Sequence, residues 1–434
     1  MGITRAVHVI SGAVLTGALV ISSAPNATAD QIRDDQWVLN ALDAESIWKT
    51  TKGKGQTVAV IDDGVNADHP DLIGNVLKGK DFIDGGSTAP AGGQDHGTAM
   101  AGIIAAHGHG PGNGDGVVGL APEAKILPIR DLGRRQDGYA TSIRYAVDHG
   151  ASVINISQAG ETKLDGDGES EAISYALKRN VVIVAGTGND GGPVGYPAAY
   201  PGVVAAGGLN NDGSHWDNSN RGKQTMLSAP ASKVVSTGGK ANADAYRIGT
   251  GTSDATAYTS ASVALVKAKY PDLTAGQVVN RLTKTAEMPA SEKGTKLPDE
   301  RYGYGAIRPL AALQEDIPKG SKYGPLSVPQ QIKNEEKAAE KERESKTLQE
   351  QADQKMVIAW SVIGVLILVV VLVIVLLVVR SRRKRNRNNG SGGPGAPGAY
   401  PIQPGSAPGY GQPPHQQGPY APQPTAPPQQ PPYN

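Results

Sequence analysis

Three segments place a reactive side chain at the end of a short apolar or glycine-rich run. Val58-Ala59-Val60-Ile61-Asp62-Asp63-Gly64 reads as a buried strand ending in a carboxylate and a turn glycine. A carboxylate in that place can be held partly buried and can accept a proton-bearing nitrogen. Gln94 to Gly102 reads as the start of a small-residue helix with His96 at its mouth; Ala99, Ala101 and Gly102 predict close packing of that helix on the sheet. Gly249-Thr250-Gly251-Thr252-Ser253 ends a glycine-rich loop and opens a long helix with a hydroxyl. A helix N-terminus offers backbone N–H groups and positive potential to a developing oxyanion. Each segment alone has a structural explanation: a turn aspartate, a His-Gly cap, a serine N-cap. Together, in the order Asp, His, Ser, they point to one chemistry, hydrolysis through an activated serine.

These residues need a scaffold, and the chain predicts one. Residues 30 to 317 alternate short apolar runs with helical patterns, which implies an α/β domain with a mainly parallel sheet. The clearest strands are Thr57–Ile61, Ile126–Ile129, Val153–Ile156, Val181–Ala185 and Val203–Ala206. They lack polar alternation, as strands covered on both faces should. Helical patterns fall at Thr141–Asp148, Glu169–Arg179, Ser253–Lys269 and Ala275–Glu287, the last two separated by Tyr270-Pro271-Asp272.

The ends of the chain speak of a membrane. Residues 1–29 carry one basic residue, Arg5, an apolar stretch and Ala27-Thr28-Ala29, the layout of a secretory signal peptide. Met356 to Val379 holds no charge and, at a helical rise, reaches about 36 Å, enough to cross a bilayer. Arg380, Arg382, Arg383, Lys384, Arg385 and Arg387 follow it and mark the cytoplasmic side. The expected order is therefore signal peptide 1–29, folded domain 30–317, charged stalk 318–355, transmembrane helix 356–379 and cytoplasmic tail 380–434. The tail beyond Arg387 has 14 prolines and no charge, a composition that cannot build a packed core and is expected to be disordered.

The net charge of +1 conceals a segregation. Setting aside Arg5 and the six basic residues after the span leaves 35 Lys and Arg against all 41 Asp and Glu, about −6 for the outer part. Nothing there calls for nucleic acid; topology and anionic lipid explain the basic cluster. The chain has no cysteine, which excludes disulfides, thiol catalysis and cysteine-ligated metals. The outer domain is long enough to stand on its own core.

With these residues in view a family resemblance emerges. Val-Ala-Val-Ile-Asp62-Asp-Gly-Val with Asp68-His69-Pro70-Asp71-Leu72, then His96-Gly-Thr-Ala-Met-Ala-Gly, then Gly-Thr-Ser253, resemble the three signatures of the subtilisin-like serine proteases. Val181 to Asp190 resembles the family strand that delivers an oxyanion-hole asparagine, here Asn189, and Gly195-Tyr196-Pro197 continues the likeness. The resemblance covers Trp37 to Gln314. It implies a three-layer subtilisin-like domain in which Ser253 Oγ attacks the scissile carbonyl and His96 moves the proton. Asp62 would orient His96, and the Asn189 amide and Ser253 N–H would form the oxyanion hole. It also implies that Ser157, Gln158, Ala159 and Gly160 line the cleft as a strand partner for a polypeptide substrate. Signal peptide, peptidase, single C-terminal span and tail together resemble the mycosins, which implies a link to type VII secretion machinery.

The departures are specific. Asp254 and Ala257 stand where the family usually has an apolar residue and a proline, and Ala261 replaces a glycine. Gln158 and Ala159 replace the usual Leu and Gly. The proline-rich tail and the lack of cysteine depart from the mycosins. Only 32 residues separate Asp30 from Asp62, too few for a separate folded pro-domain, so that the enzyme folds without one or the leader wraps the domain. The chemistry requires no cofactor. Asp165-Gly166-Asp167-Gly168-Glu169 has oxygen ligands for structural calcium, although an acidic surface loop explains it as well. The rival expectation is a catalytically inactive pseudoprotease acting as a structural component of a secretion complex.

Overall fold

The computed structural model describes residues 29–163, 166–238 and 246–386. The signal-peptide segment and the tail beyond 386 lie outside the described residues, apart from Ala29.

In chain order the elements are α1 (Ala29–Asp34), α2 (Trp37–Ala41), α3 (Ala44–Thr50), β1 (Thr57–Asp62), β2 (Lys80–Asp81), α4 (His96–Ala105), β3 (His107–His109) and β4 (Asp115–Val118). Next come β5 (Lys125–Arg130), α5 (Ala140–Asp148), β6 (Val153–Ile156), α6 (Gly168–Lys178), β7 (Val182–Gly186), β8 (Val203–Leu209) and β9 (Thr225–Pro230). Then follow β10 (Val234–Thr237), β11 (Tyr246–Gly249), α7 (Thr252–Lys269), α8 (Ala275–Thr285), α9 (Pro309–Gln314) and α10 (Gln330–Asn386).

Seven strands form one sheet in the order β2-β5-β1-β6-β7-β8-β9, every pair parallel. Alternate residues of each strand serve opposite faces. Val58 and Val60 enter one core with α4, α7 and α8. Ala59 and Ile61 enter the other with α5 and α6. Two apolar faces require two covering layers, and this produces the three-layer arrangement. From β1 the chain moves to β5 on one side and later to β6 on the other. The β1/β6 boundary is thus a topological switch point, where α/β sheets place ligands at the strand C-termini.

α7 lies in the first core and is buried almost all round as far as Val266. It stops before Pro271. Thr274 restarts the chain as α8 with a capping box: its hydroxyl accepts from Gln277 N and its own N–H donates to Gln277 Oε1.

The packed chain continues past the composition change at Ile317. Leu326 and Ile332 are buried in the first core, and the first turns of α10 pair Ser174 with Gln331 and Lys178 with Glu335. The apolar stretch 356–379 lies in α10, the one described helix long and apolar enough to cross a membrane.

Candidate active site

Asp62 is the last residue of β1, and its carboxylate meets the imidazole that opens α4. His96 Nδ1 lies 2.9 and 3.0 Å from the two oxygens of Asp62. Asp62 is buried, and the His96 side chain is 31 % exposed. Asp63, its neighbour, turns the other way and caps α4 by accepting from His96 N at 3.1 Å and Gly97 N at 2.7 Å. Gly97 is required here: a Cβ would stand 2.3 Å from the Gly64 carbonyl oxygen. One strand end therefore orients both the histidine ring and the helix that carries it. Burial pulls the imidazole down, but the charge and hydrogen bond of Asp62, aided by Asp63, outweigh it and raise its pKa to about 9. Burial, and then the charge of Asp62, push the Asp63 carboxyl upward.

Close packing at Gly102 serves a different neighbour from the one its sequence suggests. A Cβ there would lie 2.1 Å from Thr237 Oγ1, so that glycine fits α4 to the β10–β11 hairpin rather than to the main sheet. Ser236 and Thr237 also donate to the carbonyls of Ala99 and Thr98.

Ser253 is the second residue of α7. Its Oγ donates to the Ser157 carbonyl at 3.0 Å, and Ser157 Oγ donates back to the Ser253 carbonyl at 3.1 Å. Asn155 Nδ2 donates to Ser157 Oγ, and Ser260 Oγ donates to Asn155 Oδ1, both at 2.9 Å. A buried polar chain thereby fastens the end of β6 to the first turns of α7.

Asn189 follows β7 and is exposed. Its Oδ1 accepts from Thr252 N and Thr252 Oγ1, both at 2.9 Å, which leaves Nδ2 as the outward donor. The position a Gly251 Cβ would occupy lies 3.5 Å from Asn189 Nδ2 and 3.8 Å from Ser253 N. The absence of a side chain at 251 leaves the space beside these two groups open.

Ser157 to Gly160 run on from the C-terminal end of β6. Ala159 and Gly160 are exposed, and Gln158 Oε1 accepts from the Tyr139 hydroxyl at 2.8 Å. Gly160 exchanges two 2.8 Å backbone bonds with Tyr196, so its N–H and C=O already have partners. In the acidic loop, Glu169 turns inward and accepts from Tyr139 N at 3.0 Å; Asp165 lies outside the described residues.

Several groups near the site carry no motif. Arg247 of β11 donates to Asp95 Oδ1 at 3.1 Å, immediately before His96. Asp254, immediately after Ser253, is 4 % exposed. Its helix phase relative to Ser253 is readable from sequence, but the approach of its carboxyl to Gly249 of β11 is not.

Residues 53–305 match the subtilase family, more than half of the chain. The chain belongs to the subtilase family and is a subtilisin-like serine endopeptidase. It is 37 % identical over 201 residues to thermitase of Thermoactinomyces vulgaris, covering 45 % of this chain and 70 % of thermitase. It is 33 % identical over 352 residues to mycosin-1 of Mycobacterium tuberculosis, covering 68 % of this chain and 76 % of that protein. Among solved structures it resembles MycP1 of Mycobacterium smegmatis with a TM-score of 0.57 and 29 % identity, covering 70 % and 89 % of the two chains. Within the family the chain is mycosin-like.

Proposed function

We propose that this chain hydrolyses peptide bonds with Ser253 as nucleophile, His96 as general base and acid, and Asp62 as the group that orients His96. The observation that carries the reading is the two-oxygen contact of Asp62 with His96 Nδ1, which turns Nε2 away from β1. To act, Ser253 Oγ must leave the Ser157 carbonyl and bond Nε2; hydrogen bonds of this kind commonly tighten only with substrate present. The Oγ–carbon bond forms as the proton passes to Nε2. His96 then protonates the leaving amine as the carbon–nitrogen bond breaks, and water repeats the sequence on the acyl-enzyme. Asn189 Nδ2 and Ser253 N stabilise the oxyanion, and Ser157, Gln158 and Ala159 pair with the extended substrate.

The 356–379 stretch anchors the chain in the cell membrane, with the basic run from Arg380 on the cytoplasmic side and the peptidase outside. Its work lies beside a type VII secretion machinery, a reading that the mycosin likeness supports. One of the similar structures is described as MycP1 from the ESX-1 type VII secretion system.

Fluorophosphonate labelling of the full chain in detergent tests the chemistry. Wild type is expected to label, and Ser253→Ala and His96→Ala are not. A folded wild-type chain that resists the probe would replace this reading with a pseudoprotease serving as a structural part of a secretion complex.

A further inference from the structure

Each of the two residues proposed to exchange the catalytic proton has an acidic neighbour in sequence: Asp95 precedes His96 and Asp254 follows Ser253. One cation, Arg247 of the β10–β11 hairpin, stands between these acids. Its Nη1 donates to Asp95 Oδ1 at 3.1 Å. Its Nη2 lies 3.4 Å from the place a Gly249 Cβ would take, and both Asp254 oxygens lie 3.2 Å from that same place. Gly249 thus leaves a small gap that the carboxyl enters from α7 and the guanidinium from β11. Among the described residues no basic side chain comes within ion-pair distance of Asp254. Arg247 approaches it without closing on it.

We propose that Asp254 is a positioning residue for the peptidase chemistry, acting through the charge it places behind the oxyanion donors and beside His96, with Arg247 as its counter-charge. The proposal rests on the serine-hydrolysis reading above. A neutral Asp254 leaves Ser253 N and Asn189 Nδ2 to act on the oxyanion undiminished. An ionised Asp254, one residue from Ser253 N, sets a buried negative charge against the negative charge that develops there.

The groups facing Asp254 decide where it changes state. His96 faces it from α4, Arg247 from β11, and Tyr258 lies one turn further along α7. Burial raises the carboxyl strongly, and the charges of His96 and Arg247 draw it partly back, to about 7. The switch therefore falls within the physiological range. His96 must lose its proton to act as base while Asp254 must keep one. With His96 near 9, above Asp254, the two demands overlap only in a minor fraction of the chain, and the effect of Asp254 reads out as the ratio of wild-type activity to that of a chain that cannot ionise at 254.

The test is the pH dependence of peptide hydrolysis by the full chain in detergent, for wild type, Asp254→Asn, Arg247→Gln, the double variant and Ser253→Ala. The ratio of wild-type to Asp254→Asn kcat is expected to fall about tenfold as pH rises past the Asp254 transition, the effect equivalent to one pKa unit. Arg247→Gln removes a cation that favours the carboxylate, so the matching ratio of Arg247→Gln to the double variant should fall at higher pH. Arg247 also holds the His96 pKa down, and that effect is common to both members of the ratio. A pH-independent ratio would overturn the proposal, and so would a fall that stays at the same pH without Arg247. If Asp254→Asn does not fold, Asp254→Ser replaces it in both ratios. Persistent hydrolysis by Ser253→Ala would instead overturn the underlying serine reading.

Discussion

Ser157 and Ser253 exchange hydrogen bonds: each hydroxyl donates to the other's backbone carbonyl, at 3.1 and 3.0 Å. The C-terminal end of β6 and the start of α7 are thereby registered to each other. Asn155 and Ser260 hold the Ser157 hydroxyl from beneath. Replacing Asn155 by Leu would leave Ser260 and Ser157 without their buried partner. We expect a loss of about 1–3 kcal/mol in urea unfolding, with a larger proportional loss of kcat than of substrate binding.

Gly251 should reject alanine for catalysis but tolerate it for folding. Its φ of 170° is extended backbone open to any residue, and a methyl would meet nothing closer than 3.5 Å. That methyl would stand beside Asn189 Nδ2 and Ser253 N, the proposed oxyanion donors. Gly251→Ala is expected to keep its melting temperature and lose about 10²–10³ in kcat, the scale of losing an oxyanion donor.

The Asp62–His96 pair predicts a pH-dependent stability. Its folded-state pKa, about 9, lies above the ordinary histidine value, so its contribution is complete below about pH 6.5 and disappears as pH rises through 9. Allowing for solvent screening of a partly exposed ring, the contribution is about 2 kcal/mol. Thermal melts between pH 6 and 10 should show wild type losing this increment, and Asp62→Asn should show a much flatter dependence.

Gly97 offers a stringent packing test. With a backbone oxygen 2.3 Å from any added Cβ, Gly97→Ala must separate the start of α4 from the end of β1. We expect at least about 2 kcal/mol of destabilisation and loss of fluorophosphonate labelling, because His96 rides on that helix. Unchanged labelling and melting would contradict the geometry.

Truncation tests where the folded unit ends. A chain ending at Ile317 loses Leu326 and Ile332 from the core, at about 1.5–3 kcal/mol for each buried side chain, whereas one ending at Lys346 keeps both. The shorter form should unfold at markedly lower urea.

The parts of this molecule legible in sequence are those with strong local signals. The runs around Val58, Ile126, Val153, Ile183 and Val203 are β-branched and apolar because both their faces are covered, and each forms a strand of the parallel sheet. β9 escaped notice because Thr225, Ser228 and Pro230 interrupt its apolar character; Ser228 instead binds the carbonyls of Arg301 and Tyr302 across the fold. Asp62, His96 and Ser253 stand out as candidates because each lies at or next to the end of a regular element. Asp63 as a helix cap, Thr252 as the holder of Asn189 and Arg247 as a cation between two acids depend on contacts from distant segments. No spacing in the chain encodes those contacts. Gly102 shows the same limit: its smallness was legible, but its neighbour was not.

The separation of the site's parts along the chain also governs when it can exist. Asp62 and His96 are 34 residues apart, and Ser157 and Ser253 are 96 apart. The strands that bring them together pair in parallel, through crossovers that form only once long loops have closed. An extended or half-formed chain holds a serine, a histidine and an aspartate with ordinary reactivity and nothing to align them. For the proposed triad, latency is thus a property of the topology: cutting power is expected only once the last long-range pairing has formed.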